Sequence, residues 1–268
     1  MKIFGIICEY NPFHNGHARQ LEFCRSNGAD LIFCAMSGDF TQRGEPAVLE
    51  KRIRAKHAVQ SGADLVAELP LPYAAAGAKD FAEGGVKLLE KMGCTHICFG
   101  SECGNISLLE KAAELIDSDS FNNSLKLHIK AGKSYPVSAE LAGEEYGGVL
   151  NAPNNILAVE YLRALKSVGS AMQPITLTRN TDYCSESLDS KACVASASAI
   201  RKNLKSEALS RFVPPYVAED LNKSGKEITR EYGDFAHAFL NLCSKEYLNG
   251  VEAVSYTHLR AHETRHDL

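Results

Sequence analysis

The stretch that decides the fold is Met1 to Gln20, MKIFGIICEYNPFHNGHARQ. Ile3, Phe4, Ile6, Ile7 and Cys8 form a short apolar run with the length and β-branched content of a buried strand. Tyr10-Asn11-Pro12-Phe13 breaks it, because Pro12 withholds a backbone N–H and biases Asn11 away from helical angles. His14-Asn15-Gly16-His17 follows, and Ala18, Leu21 and Cys24 then recur at helical spacing with Phe23 beside them. A strand, a turn, and a helix that starts with two histidines and a glycine suit anion binding. The unpaired N–H groups of a first helical turn and the helix dipole both face a bound phosphate. Gly16 lets a bulky ligand approach the backbone, and imidazoles on either side can donate to phosphate oxygens. A plain strand–helix junction with two surface histidines has the same spacing, so both readings stay open at this point.

The alternation continues along the chain. Asp30 to Ser37 reads as a second apolar strand, running into the breaker-rich loop Ser37-Gly38-Asp39-Phe40-Thr41-Gln42-Arg43-Gly44-Glu45-Pro46. A helix is predicted over Val48 to Ser61 and ends at Gly62. A third strand, Asp64 to Leu69, is stopped by Pro70 and Pro72, and a helix over Ala78 to Met92 ends at Gly93. Thr95 to Phe99 reads as a fourth strand opening into Gly100-Ser101-Glu102. Ile106 to Lys130 reads as helix with a break near Asp117 to Ser120, and Gly132 to Gly148 as a mobile excursion around Pro136 and Gly147-Gly148. Asn151 to Asn155 starts a helix over Ile156 to Val168, with Leu157, Tyr161, Leu162 and Leu165 on one face. Gln173 to Thr178 is a fifth strand ending at Arg179. After a polar loop to Val194, Ser196-Ala197-Ser198-Ala199-Ile200-Arg201 opens another helix. Its serines and arginine read either as a second phosphate site or as simple N-capping.

Strands and helices alternating at this rhythm imply an α/β fold, a Rossmann-like doubly wound parallel sheet with helices on both faces. Ligands of such sheets sit beyond the carboxyl ends of the strands, where strand order reverses. That rule places the NPFHNGH turn, the SGDFTQRGEP loop and Gly100-Ser101-Glu102 along one edge.

Composition narrows the function classes. Across 268 residues, 45% hydrophobic and 23% charged content is that of a soluble domain with a full core, which excludes a disordered chain or a fibre. No apolar run approaches membrane-spanning length and no signal pattern opens the chain, so a cytoplasmic location and no membrane partner are expected. Nine cysteines, mostly inside apolar runs, fit reduced core thiols rather than a disulfide framework. Cys94, Cys98 and Cys103 match no zinc spacing, and no protein-held metal is expected. The formal net charge of −4 argues against non-specific coating of nucleic acid but leaves room for basic patches. Arg43, Lys51, Arg52, Arg54 and Lys56 form one candidate patch, and Arg201, Lys202 and Lys205 another. Each is either a phosphate-contacting surface or a solvated face.

From Ser206 the alternation stops. Pro214-Pro215, a polar stretch from Asn222 to Glu227 and a helix over Tyr232 to Leu248 suggest a mostly helical region. Residues 254–268, VSYTHLRAHETRHDL, set His258, His262 and His266 at the spacing of a helical metal site. The string reads instead as a translated sequencing-adapter remnant, outside fold reasoning.

His14-Asn15-Gly16-His17 after a first strand resembles the HxGH signature of the nucleotidyltransferase superfamily. Within it, EYNPFHNGH, MSGDFTQRGEPA, GADLVAELP, CFGSE, APNNIL and SASAIR, in this order, resemble the tRNA(Met) cytidine acetate ligase family. The resemblance covers Met1 to Arg201. It implies an enzyme that activates acetate with ATP to acetyl-adenylate, releasing pyrophosphate, and then acetylates N4 of the wobble cytidine of elongator tRNA(Met). ATP would be held by the segment from Ile7 to Gln20, including Glu9, Tyr10, Asn11, Pro12, Phe13, His14, Asn15, Gly16 and His17. Gly100, Asn154, Arg179, Ser198 and Arg201 would complete its site. Mg2+ would accompany ATP, held mostly by phosphates and water. The implied division is a nucleotidyltransferase-like ATP-binding domain over 1–205, the beginning of a truncated helical domain over 206–253, and a non-native tail over 254–268.

The chemistry suits these residues. Attack of acetate on the α-phosphorus gathers negative charge on phosphate oxygens, and donors fixed there stabilise the transition state more than the ground state. His14 and His17 take that role as the catalytic pair. The sequence departs from the family where a Tyr-His pair usually follows the arginine, since here it is Tyr183-Cys184, which leaves the role of that loop open. Two alternatives stand beside this reading: a small-molecule adenylyltransferase of the same superfamily, and a nucleotide- or RNA-binding module without turnover.

Overall fold

The computed structural model describes residues 1–143, 146–179 and 195–224, together with positions 233 and 242. The expected helix over Tyr232 to Leu248, except for those two positions, lies outside the described residues. So do Tyr183-Cys184 and the tail over 254–268.

Five strands form one sheet: β1 (Ile3–Cys8), β2 (Leu31–Ser37), β3 (Leu65–Leu69), β4 (His96–Ser101) and β5 (Gln173–Thr178). Their order is β3-β2-β1-β4-β5 and every pairing is parallel. The chain leaves β1 for β2 and β3 on one side and returns to β4 and β5 on the other, so strand order reverses between β1 and β4. The α/β class and the doubly wound arrangement are thus those the alternation implied.

Residues alternate between two cores, as parallel strands covered on both faces require. Phe4, Ile6 and Cys8 join Ile32, Cys34 and Met36 under α1 (Asn15–Ser26) and α2 (Lys51–Gln60). Ile3, Ala35, Ile97 and Phe99 face the other way, under α4 (Ala78–Lys91), which follows the short α3 (Leu71–Ala74). Gly85 sits where a Cβ would come within 2.5 Å of Ile7, which lets α4 lie close on β1. The break expected in the next helix separates α5 (Ile106–Ile116) from α6 (Asp119–Lys130), where the Ser118 hydroxyl accepts from Phe121 N–H as an N-cap.

Three expectations need correction. The excursion over Gly132 to Gly148 carries α7 (Tyr135–Ala142) and α8 (Gly147–Leu150). Pro136 falls in the first turn of α7, where its missing N–H costs nothing. The helix expected from Val48 begins only at Lys51. Val48 N–H is taken by Asn11 Oδ1 at 2.8 Å and Lys51 N–H by Asp39 Oδ1 at 2.9 Å, which holds the preceding chain out of the helix.

The third correction is Arg54. Sequence put it in a surface basic patch, yet its side chain is fully buried. The buried side of α2 is Arg54, His57 and Ala58, so the helix docks through polar groups rather than an apolar stripe. The Arg54 guanidinium donates to the carbonyls of Glu9, Ser37, Gly38 and Leu49, tying the ends of β1 and β2 to the loop between β2 and α2. Lys51, from the same patch, pairs with Glu68 at 2.8 Å.

The later segments close over the α1–α2 face. After α9 (Pro153–Val168) and β5 come α10 (Ala197–Lys202), a 3-10 turn at Glu207–Arg211, and α11 (Pro215–Ser224). Leu209, Phe212, Val213, Val217 and Leu221 enter the same core as Phe4 and Ile6. Asp220 meets His57 Nε2 at 2.9 Å, and the Tyr216 and Ser61 hydroxyls lie 2.6 Å apart. Arg54→Met should keep the volume of this side chain while leaving buried carbonyls unpaired. Denaturant unfolding is expected to show a loss of at least ~2 kcal/mol, whereas Arg52→Met on the exposed side should change stability by less than ~0.5 kcal/mol.

Candidate active site

The HNGH sequence folds as a capping box made of two imidazoles. His14 is the N-cap of α1, and its Nδ1 accepts from Gly16 N–H at 3.0 Å. His17 reaches back so that its Nδ1 accepts from His14 N–H at 3.3 Å. The box more often pairs a serine or threonine with a glutamate. With histidines it has a chemical consequence. A ring whose Nδ1 accepts from an amide must carry its proton on Nε2 when neutral, so both rings present Nε2–H as a fixed donor. The rings stack, centroids 3.6 Å apart, and Tyr10 and Phe13 pack against His17.

Both imidazoles are held neutral. Burial, helped by the Arg179 and Arg201 charges, brings His14 down to about 3. Burial first, then His14 and Arg179, keeps His17 well below the ordinary histidine value. The two arginines therefore approach the histidine pair from different parts of the chain.

The turn before the box brings in Arg201. Asn11 and Pro12 are joined by a cis peptide, and Tyr10 has a positive φ of 48°. The Asn11 carbonyl accepts from Arg201 at 2.7 Å, and Arg201 also donates to Ser198 Oγ at 3.2 Å. Of the two readings for the serines before Arg201, Ser196 is the N-cap, its Oγ accepting from Ala199 N–H, while Ser198 is exposed beside Arg201. Glu9 is held by Gln42 N–H at 2.7 Å, which sets the SGDFTQRGEP loop as a front wall folded on itself through the Phe40–Pro46 bridge.

The opposite wall is built from β4, α9 and β5. Arg179 lies over Gly100, where a Cβ would come within 2.2 Å of its Nε, so only glycine leaves it room. Its guanidinium donates to Asn154 Oδ1 at 3.0 Å. Gln20 crosses the switch between the strands and donates to the Cys98 carbonyl at 3.1 Å.

The strand ends thus gather Glu9, Asn11, Pro12, His14, Gly16, His17 and Gln20 from the first segment with Gly100, Asn154, Arg179, Ser198 and Arg201. Other members of the expected set face inward or toward the frame. Ile7 packs on Gly85, Tyr10 reaches Cys34 Sγ at 3.5 Å, and Phe13 is buried between Tyr10 and His17. Asn15 donates from its backbone to the Phe212 carbonyl and from its side chain to that of Arg211, both at 2.9 Å. Sequence reasoning set Glu102 at this edge and Arg54 in a flanking patch, but missed the burial of Arg54, the bonds of Glu102 to Asn154 and Asn155, and the chain around Arg211 and Phe212. For Arg54 the signal was a helix with almost no apolar face. Among the described residues no group of three or more His, Cys, Asp or Glu side chains is arranged to hold a metal ion.

A parallel sheet with an HxGH box at the end of its first strand defines a nucleotidyltransferase, and residues 1–257 match the family model described as HIGH Nucleotidyl Transferase. The chain is 42% identical over 224 residues to the tRNA(Met) cytidine acetate ligase of Acetivibrio thermocellus, covering 79% of this chain and 54% of that protein. It is 44% identical over 214 residues to that of Syntrophotalea carbinolica, covering 76% and 51%. It is also 36% identical over 287 aligned positions to that of Caldicellulosiruptor saccharolyticus, covering 100% and 71%. Apo Thermotoga maritima TmcAL has the same fold, with a TM-score of 0.84 at 30% identity over 98% of this chain and 68% of that one. TmcAL bound with alpha-thio ATP gives 0.73 at 34% identity over 83% and 56%. The chain belongs to the tRNA(Met) cytidine acetate ligase family of HIGH nucleotidyl transferases. It spans about half the length of the first two relatives.

The depressed histidines fix the sign of a pH effect. Their neutral form favours the folded state fully above about pH 6.5, the value in an unfolded chain, and that contribution is lost as pH falls from there toward the folded value. Proton–nitrogen correlation spectra of His14 and His17 are expected to show the Nε2–H tautomer unchanged from pH 5 to 8. A ring titrating inside that window would contradict the arrangement.

Proposed function

We propose that the site binds ATP and couples it to acetate, forming acetyl-adenylate and pyrophosphate, and that the acetyl group then passes to N4 of the wobble cytidine of elongator tRNA(Met). The observation that carries this reading is a pair of neutral imidazoles with their protons held on Nε2, set between two arginines at the strand switch. Such donors suit a centre where charge grows on phosphate oxygens, because their direction is set before the reaction begins. An acetate oxygen bonds to the α-phosphorus while the bond to the bridging oxygen breaks, and pyrophosphate carries the electron pair away. The cytidine amine then attacks the acetyl carbon, AMP leaves, and the amine loses a proton.

His14 and His17 are the proposed donors, Arg179 and Arg201 the positive charge that faces the phosphates, and Gly16 and Gly100 the points where backbone and nucleotide come close. Glu9, Asn11, Pro12 and Gln20, with Asn154 and Ser198, complete the ATP site, and Ile7, Tyr10, Phe13 and Asn15 hold its frame. Mg2+ arrives with ATP and stays on phosphate oxygens and water. Acetate and tRNA as substrates rest on the relatives whose names carry that activity, and a tRNA substrate implies action in the cytoplasm.

The test is ATP–pyrophosphate exchange with and without acetate, followed by acetyl transfer to tRNA(Met). Exchange is expected to require acetate, and exchange indifferent to it would sink the proposal. His17→Ala should lower the exchange rate at least ~10²-fold, beyond the ~1–2 kcal/mol of stability that losing its part of the capping box costs. Near-wild-type turnover would remove His17 from the role given to it.

A further inference from the structure

Glu102 follows β4 and has no assigned part in the chemistry. Its carboxylate faces the first turn of α9, a helix whose N-cap residue, Ala152, has no side chain able to cap it. Glu102 Oε1 accepts from Asn154 N–H at 3.2 Å and from Asn154 Nδ2 at 2.7 Å, and Oε2 accepts from Asn155 N–H at 2.8 Å. In return Asn155 Oδ1 accepts from the Glu102 and Cys103 N–H groups at 2.9 and 3.2 Å. The carboxylate is therefore a cap supplied from another segment, placed where the helix dipole favours negative charge.

The bond to Asn154 Nδ2 has a further effect. An amide side chain can present its oxygen or its nitrogen to a neighbour, and here the nitrogen is committed to Glu102. The oxygen is thereby turned to Arg179, whose guanidinium it accepts at 3.0 Å. Arg179 is pinned by a neutral acceptor while the nearby carboxylate is occupied by amide donors. Its position is set and its charge is not cancelled.

We propose that Glu102 is a positioning residue for nucleotide binding, acting through the orientation of Asn154 to hold Arg179 over Gly100 with its charge directed at the ATP phosphates. This inference rests on the ATP-site reading above. Glu102→Gln keeps the volume and one accepting oxygen, so the helix remains capped, but its amide can turn Asn154 over.

ATP affinity measured by calorimetry should fall about 10-fold in Glu102→Gln. Arg179→Met should weaken it as much or more, and the double variant should equal Arg179→Met alone, because the effect of Glu102 passes through that arginine. Thermal denaturation run on the same proteins should show any capping loss equally in both backgrounds, which separates stability from affinity. Additive losses of ATP affinity would overturn the role of Glu102 while leaving the ATP site in place. Failure of the wild-type chain to bind ATP, or of Arg179→Met to weaken binding, would overturn the site itself. Asn154→Asp provides a further check, since it sets a carboxylate beside Arg179 in place of the neutral acceptor and gives up the donor to Glu102, and both changes act against nucleotide binding. Its ATP affinity should fall below that of the wild type, and unchanged affinity would refute the charge argument.

Discussion

The structure depends on one buried cation. Where parallel strands end, their last carbonyls project into the crevice where ligands bind, and each needs a donor. Arg54 supplies donors to three carbonyls at the ends of β1 and β2, those of Glu9, Ser37 and Gly38, and to that of Leu49 before α2, with a single planar group. A guanidinium buried against carbonyls alone is costly to desolvate, and a set of several fixed acceptors compensates for that. The result is a rigid seat for the turn from Glu9 to Pro12. From that turn the chain enters α1 with His14 as its cap, so the direction of both imidazoles follows from how α2 is anchored.

The electrostatics of the site follow a single rule, which is that positive groups are held by neutral partners. Arg179 binds an amide oxygen, and Arg201 binds a backbone carbonyl and a hydroxyl. Glu9 and Glu102 have carboxylate oxygens given to backbone N–H groups. The imidazoles stay neutral because burial disfavours their charged form, helped at His14 by Arg179 and Arg201 and at His17 by His14 and Arg179. The crevice thus keeps its arginines and its carboxylates on separate, neutral hydrogen-bond partners.

Sequence made the sheet legible because each strand is an apolar run bounded by breakers, a signal carried by neighbouring residues. The HNGH turn was legible for the same reason, since cap, glycine and helix are adjacent. What sequence hid were interactions whose partners are remote. Arg54 has the same letters around it as an exposed basic helix, and only the carbonyls it meets reveal its burial. Glu102 could be placed at the sheet edge by the strand rule, but its bond to Asn154 joins segments 52 positions apart. Pro136 looked like a breaker and instead opens a helix, since the meaning of proline depends on which turn it occupies.

Asn15 gives its backbone N–H and its side-chain amide to the carbonyls of Phe212 and Arg211, the second bond bridging 196 positions. The first helical turn of the chain is therefore fastened by a segment that lies near the far end of the described residues. During synthesis the amino-terminal strand and helix emerge early, yet their ligand-facing end gains its final fastening only after residue 212 has left the ribosome. A chain shortened before residue 211 therefore lacks both of these bonds to the first turn of α1.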